Sequence, residues 1–325
     1  MYKRTVFRIF GGMLCMVCLL LGFASCAQAA RGDLSARFAD VPTLESEGVT
    51  YSLSPRTTGM LLIGVDHDSV QAAQNTQYRE GGQADFLLLL AINDDKKTVT
   101  PIQINRDTLA EITVLSPLGQ ETGTTRVQIA LSHAFGNGGE RSCMLTAEAV
   151  SRLLLDVPVS EYVSMHMDGI AVMNDLIGGV TVTLKDDFSV YDPQMMPGKT
   201  LHLSGKQAEY YLRQRYYVGD QTNLSRQMRH KEYINAVKSV LGQRLQNDTN
   251  YAMTLYEGLE PYLVTSMSRG KLINLANKIA SYTVLPAEEI GGMLFVDEDG
   301  FAALEPDAQE IQDVILRAFY EPTSF

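Results

Sequence analysis

The chain has 325 residues, 45% of them hydrophobic and 20% charged, with a formal charge of −11 at pH 7. This is the composition of a globular protein with enough apolar residues for one large domain or two small ones, and it excludes a disordered chain. The acidic balance excludes a general nucleic-acid binder, which needs a broad basic surface to displace counterions, while leaving room for a local basic site.

Residues 1–8 form a basic segment carrying Lys3, Arg4 and Arg8, and residues 9–27 are an apolar run. That run is long enough to cross a bilayer core of about 30 Å as a helix. The positive flank would stay cytoplasmic and the rest of the chain would lie outside. Two other fates compete. Ala27-Gln28-Ala29 resembles a signal-peptidase site, and "FASC", ending at Cys26, resembles a lipoprotein acylation box. An uncleaved anchor is preferred, because the run exceeds a signal-peptide core of about 7–15 residues. Cys15, Cys18 and Cys26 all belong to this segment, so Cys143 stands alone in the outer portion and no disulfide forms within it. With few histidines and no cysteine cluster, a bound metal would be held by carboxylates rather than in a zinc site.

Residues 28–57 show mixed charge and no sustained period, which predicts a linker; the outer domain is read as residues 58–325. The domain opens with a buried-type strand, Met60 to Val65, ending at Asp66. "QADFLLLLAINDDKKTVTPIQI" then predicts two strands around a turn from Asn93 to Lys97. The second strand runs into "INRDT". Val99, Pro101, Gln103 and Asn105 fall on one of its faces and Ile102 and Ile104 on the other, so Arg106 and Asp107 sit where pairing stops. Strand ends are where ligand-binding groups collect in α/β sheets, although a solvated charge pair in a turn is the commoner case.

Further on, "GNGG" reads as a turn and His133 as a packed or capping residue. "TAEAVSRLLL" predicts a helix capped by Thr146, "SEYVSMHM" a strand, "DGIAVMNDLIGG" a helix stopped by Gly178, and "VTVTL" another strand. Such alternation predicts an α/β fold around a mixed sheet.

The stretch from Gly205 to Leu245 is the most informative. In "SGKQAEYYLRQR" Ala208, Tyr211, Leu212 and Arg215 share one helical stripe. A second helix is predicted from an N-cap at about Thr222 or Asn223. On it Arg226, Arg229, His230 and Tyr233 occupy the face that continues as Val237, Val240 and Leu241. An apolar stripe that becomes cationic points its arginines inward at the positive end of a helix, and unpaired buried charge is costly, so an anion is expected there. Lys206, Arg213, Arg215, Arg226, Arg229 and Lys231 face only Glu209 and Asp220 over this span. A carboxylate cluster of the chain itself is one explanation; a phosphate-bearing ligand, matched by planar guanidinium groups, is the better one. After about residue 250, "GKLINLANKIASY" and "DAQEIQDVILRAF" predict a C-terminal helical extension.

Taken in order, "LLIGVD", "QADFLLLLAIN", "INRDT", "QIALSHAFGNGG", "MNDLIGGV", "GKTLHLSGKQAEYYLRQR" and "DQTNLSRQMRHKEY" resemble the LytR-CpsA-Psr family over roughly Gly59 to Leu245. These are membrane-anchored extracytoplasmic proteins, mainly of Gram-positive bacteria. The resemblance implies an α/β/α sandwich around a mixed central sheet, holding a polyprenyl chain in an apolar tunnel with its pyrophosphate at the mouth. It implies transfer of a phosphorylated glycan, such as wall teichoic acid or capsule, from that lipid to peptidoglycan, with a magnesium ion. Carried over by motif, Asp85 and Asp107 take the metal-linked and catalytic carboxylate positions and Arg106 a catalytic, pyrophosphate-contacting one. Arg213, Arg215, Arg226 and Arg229 take the remaining phosphate positions, while Asp66 and Asp220 fall on recurrent acidic positions. The sequence departs from the pattern at Gln83, where arginine is frequent, at His230, where glutamine is usual, and at His67-Asp68, which lacks an arginine often found after "GVD". Two rival readings are a polyprenyl-pyrophosphate hydrolase and a non-catalytic protein that binds lipid-linked glycans. Nucleic acid is not an expected partner.

Overall fold

The run "ADFLLLLAIN" has no polar residue on either face of its middle, and such a strand is stable only where both faces of a sheet are covered. In the computed structural model it is the centre of the main sheet, with Leu87 to Leu90 all fully buried. The structure describes residues 43–67, 77–214, 216–219, 225, 228–230, 232–233, 235–237, 239–240, 244, 251–298 and 300–323. The apolar run 9–27 lies outside them. Among the described residues no helix is long and apolar enough to cross a membrane.

Along the chain come β1 (Leu44–Ser46), β2 (Val49–Leu53), β3 (Thr57–Val65), β4 (Ala84–Asn93), β5 (Thr98–Ile104), β6 (Leu109–Leu115) and β7 (Glu121–Gln128). A short helix α1 (Leu131–Ala134), the longer α2 (Glu140–Leu153) and β8 (Val159–His166) follow. Next are α3 (Gly169–Leu176), β9 (Val180–Thr183), β10 (Thr200–Leu203) and α4 (Gly205–Arg213). The described residues between 225 and 244 are helical. The chain ends with α5 (Tyr251–Leu259), β11 (Leu263–Thr265), α6 (Arg269–Ala280), β12 (Thr283–Val284), β13 (Glu288–Glu289), β14 (Gly292–Val296), β15 (Ala302–Pro306), α7 (Ala308–Phe319) and β16 (Tyr320–Pro322).

These elements divide into two units. The first holds the described residues up to His166, with 263–268 and 281–323. Its seven-stranded sheet has the order β11-β8-β3-β4-β5, with β12 and β13 both on the outer edge of β5. β3 runs antiparallel to β4 and parallel to β8, and β5 is antiparallel to β4, so the sheet is mixed as expected. Leu61, Ile63, Leu87, Leu89, Ile102 and Ile104 share one core cluster with Cys143, Ala147 and Val150 of α2, with Leu154 just after it, and with Ile311, Ile315 and Phe319 of α7. Gly59 is needed where β3 meets the start of β8, because a Cβ there would lie 2.3 Å from the Pro158 carbonyl oxygen. Leu89→Ala is expected to lower the stability of the chain by about 2–5 kcal/mol through lost transfer energy plus a cavity. Chemical denaturation of both proteins measures it.

Three expectations need correction here. Residues 44–53 are not linker: β1 pairs with β2, β2 pairs with β16, and Leu44, Tyr51 and Leu53 pack on the core cluster. Strands this short carry too little alternation to be read before their partners are known. Thr146 caps no helix. α2 starts at Glu140 after Gly139, and the Thr146 hydroxyl is buried inside it, donating to the Ser142 carbonyl at 2.9 Å. A hydroxyl that bonds back to its own helix is the alternative to capping. The segment after residue 250 is also more than a helical extension. Both predicted helices are present as α6 and α7, but β11, β12 and β13 join the central sheet.

The second unit holds the described residues from 167 to 262, with 269–280. α3 ends at paired glycines whose φ values of +80° and +81° at Gly178 and Gly179 favour residues without a Cβ. β9 and β10 form an antiparallel hairpin. α4 opens on a capping box, with the Ser204 side chain accepting from the Gln207 amide and the Gln207 side chain accepting in return from the Ser204 amide. The predicted stripes point inward: Ala208, Tyr211 and Leu212 on α4, and Arg229, Tyr233 and Val237 in the following helical stretch, are all buried.

Candidate active site

The antiparallel register of β4 and β5 sets Leu87 opposite Ile104, which brings the beginning of β4 to the end of β5. Asp85 therefore meets Arg106 and Asp107 although 21 residues separate Asp85 from Arg106. The Arg106 guanidinium is the hub. Its Nη1 donates to Asp85 Oδ1, its Nη2 to Gln83 Oε1, and its Nε to Asp107 Oδ1 at 3.2 Å. The side chains of Arg106, Asp85 and Asp107 retain 22%, 10% and 15% of their exposure, so the cluster is shielded from water yet reachable. Charge pairs in such a place are screened far less than surface ones.

The backbone around the hub is held on both sides. The Asn105 side chain accepts from the Asp107 amide at 2.9 Å, closing a local turn. The Ala130 amide donates to the Arg106 carbonyl at 3.1 Å, and the Leu304 amide donates to the Asp107 carbonyl at 2.9 Å. On the β4 side, the Gln83 amide donates to Asp66 Oδ1 at 2.6 Å. Gly82 makes this loop possible: its φ is +75°, and a Cβ there would come within 2.9 Å of the same aspartate oxygen.

His133 supports the loop from beneath. It is fully buried, and its Nδ1 lies 2.8 Å from the Gly81 carbonyl and 3.2 Å from that of Gly82. Two carbonyl acceptors require the proton on Nδ1, leaving the Nε2 lone pair toward Cys143 Sγ at 3.9 Å. Burial pushes the His133 pKa down to about 4 and the Cys143 thiol up to about 12. At neutral pH the pair is an uncharged imidazole and an un-ionised thiol, so it acts as packing and support rather than as base and nucleophile.

Of the predicted site residues, the structure brings Asp85, Arg106 and Asp107 together. Arg215 and Arg226, with Asp220, lie outside the described residues. In the second unit Arg213 is exposed and pairs with Glu209 at 3.4 Å, one helical turn away. Arg229 is buried, donates to the Gln214 carbonyl at 2.7 Å, lies 3.7 Å from Asp186 and stacks 5.0 Å above the Phe188 ring. The inward cation predicted for this helix thus has partners within its own unit. His230, standing where glutamine is usual, lies with Nε2 2.8 Å from the Leu212 carbonyl, the distance of a donated hydrogen bond.

Asp85 and Asp107 offer two hard oxygen donors. Among the described residues there is no group of three or more His, Cys, Asp or Glu suited to a metal. This donor set fits magnesium, which is often held by one or two carboxylates with waters and substrate phosphates completing the shell, and it does not fit a closed cage for zinc or calcium.

Two contributors escaped the sequence reading. Gln83 counts from sequence as a lost cation, whereas in the structure its side-chain oxygen is an acceptor for Arg106. His133 carries no local signal for its role, because the carbonyls it holds lie about 50 positions earlier.

Residues 38–313 match the LytR_cpsA_psr family. The chain belongs to this family. Among curated relatives, biofilm regulatory protein A of Streptococcus mutans is 29% identical over 214 residues, covering 63% of this chain and 49% of that protein. The polyisoprenyl-teichoic acid–peptidoglycan teichoic acid transferase TagU of Enterococcus faecalis is 28% identical over 257 residues, covering 78% of this chain and 76% of that one. The chain spans about half the length of the first curated relatives it matches. The crystal structure of TagV from B. subtilis superposes with a TM-score of 0.57 at 23% identity, covering 81% of this chain and 95% of that one, a likeness of fold.

Proposed function

We propose that this member of the LytR_cpsA_psr family is a magnesium-dependent phosphotransferase that attaches a polyprenyl-pyrophosphate-linked glycopolymer, of the wall teichoic acid or capsule type, to peptidoglycan. The observation that carries the reading is one guanidinium, Arg106, shared between the carboxylates of Asp85 and Asp107 at the ends of two paired strands. Family membership and a transferase among the relatives support it. Residues 9–27 would anchor the protein with its domain outside the cell membrane, and an apolar tunnel would take the prenyl chain.

In this reading Arg106 holds the phosphate oxygens and offsets the charge that builds on them and on the departing lipid phosphate. Asp85 or Asp107 takes the proton of the attacking muramyl hydroxyl. The new bond joins that oxygen to the glycan-bearing phosphorus, the P–O–P bridge breaks, and polyprenyl phosphate leaves. Bound magnesium, held by Asp85 and Asp107, would stabilise charge on the pyrophosphate. The phosphate-contacting roles of Arg213, Arg215, Arg226 and Arg229 rest on the family motif alone.

The test uses the full chain in detergent micelles with a polyprenyl-pyrophosphate oligosaccharide and peptidoglycan oligomers. Chelator is expected to stop both lipid release and glycan transfer, and added magnesium to restore them. The double variant Asp85→Ala/Asp107→Ala should transfer at least about 100-fold more slowly. Normal transfer in chelator or by the double variant would defeat the assignment. Lipid release without transfer would instead favour a hydrolase, and tight binding with neither product a binding protein.

A further inference from the structure

Two of the side chains that accept from Arg106, Asp85 and Asp107, are carboxylates, and the third, Gln83, is an amide. That difference gives Gln83 a second capacity. A guanidinium carries donors and no acceptor, so the Gln83 oxygen must face Arg106 and the amide NH2 group must face away from it. Here the amide orientation, which an isolated glutamine leaves open, is dictated by its partner. Among the described residues nothing accepts a hydrogen bond from this NH2 group, and it is not sealed inside the protein.

The backbone beneath the side chain is bonded on both sides. The Gln83 amide donates to Asp66 Oδ1 at 2.6 Å, and the Gln83 carbonyl accepts from the Asp66 amide at 3.1 Å. The next amide, that of Ala84, donates to the Ala130 carbonyl at 3.0 Å. On the other side Gly82 packs against His67, whose Nδ1 would lie 2.5 Å from a Cβ there. A glutamine anchored at its backbone and at its side-chain oxygen has already lost the freedom that a surface glutamine would lose on meeting a ligand, so its remaining donors are preorganised.

We propose that Gln83 acts with both ends of its amide: Oε1 positions Arg106, and Nε2 donates to a phosphate oxygen of the ligand that Arg106 holds. The two groups are neighbours, so one phosphate-bearing ligand can take a bond from each. The contact is directional and uncharged, and Asp66 is a positioning residue that acts through the Gln83 backbone. The nature of the ligand rests on the phosphotransferase reading; the direction of the amide rests on its bond to Arg106.

Calorimetric binding of farnesyl pyrophosphate with magnesium to the full chain in micelles tests it, beside the rate of glycan transfer. Gln83→Glu keeps an oxygen for Arg106 and replaces the donor by an acceptor, so it should hold the thermal midpoint yet weaken binding by about tenfold or more. A glutamine that only positioned Arg106 would bind normally after this change. Gln83→Leu removes the donor without adding charge and should also weaken binding by about tenfold. In the Arg106→Ala background Gln83→Leu should still weaken it by about threefold, because the donor contact does not pass through the arginine. Normal binding by Gln83→Glu or Gln83→Leu would overturn the proposal, as would a Gln83→Leu effect that vanishes in Arg106→Ala. If Gln83→Leu fails to fold, Gln83→Glu decides alone. The two claims fail separately: a wild type that binds the pyrophosphate but transfers no glycan ends the transferase reading and leaves the Gln83 comparison intact, whereas a wild type that transfers and a Gln83→Glu protein that binds equally well ends the Gln83 assignment alone. A wild type that does not bind farnesyl pyrophosphate at all would overturn both.

Discussion

Arg106→Ala should lower glycan transfer by about 100- to 1,000-fold, the range seen when one preorganised donor to a developing anion is removed. The geometry makes the loss larger than that of a surface charge. Arg106 meets three acceptors, Asp85 in β4, Gln83 just before it and Asp107 just after β5, so its guanidinium is held before any substrate arrives. Removing it also leaves two partly buried carboxylates without the cation they share. Arg106→Lys should recover little, because an ammonium is a point donor and does not span the three acceptors that the guanidinium fork reaches. Rates of lipid release and transfer, with the thermal midpoint of each variant as control, decide it. Near wild-type transfer by a folded Arg106→Ala protein would remove Arg106 from the mechanism.

Acid should destabilise the protein through His133. Its pKa is about 4 in the folded state, against an ordinary 6.5, because burial penalises the imidazolium. Above pH 6.5 the side chain is neutral folded or unfolded, and its contribution to stability does not vary. As pH falls below 6.5 the unfolded chain takes up the proton first, so stability falls progressively toward pH 4, by about 3 kcal/mol in all. Carboxylates titrate in part of the same window, so the comparison is with His133→Asn, whose amide is a donor without a titrating group. Urea unfolding at pH 7 and pH 4.5 should show a smaller loss for the variant than for the wild type. Equal losses would mean that the imidazole is protonated in the folded protein.

The central strands were legible in the sequence because their signal is local. An unbroken apolar run such as "FLLLLAI" has one stable environment, and the turn residues from Asn93 to Lys97 mark where it folds back; the structure has β4, the turn and β5 there. The inward stripe of α4 was likewise set by spacing alone. The candidate site was legible in a different way. Arg106 and Asp107 stood out as charges at the end of an apolar strand, and Asp85 joined them by family motif, with no feature of its own to single it out.

Tertiary structure decided what depends on partners distant in sequence. β12 and β13 are two residues long and exist only because β5 offers them an edge. Gln83 became an acceptor for Arg106 through the register of β4 on β5, which no property of a glutamine announces. His133 became a buried neutral donor because a glycine loop passes over it. Thr146, a cap by its residue type, became an interior residue because α2 begins at Glu140 and its hydroxyl found the Ser142 carbonyl. Periodicity and turn chemistry act between neighbours and can be read along the chain; hydrogen-bond partners, burial and the protonation they impose are properties of the folded neighbourhood, and only the fold assembles it.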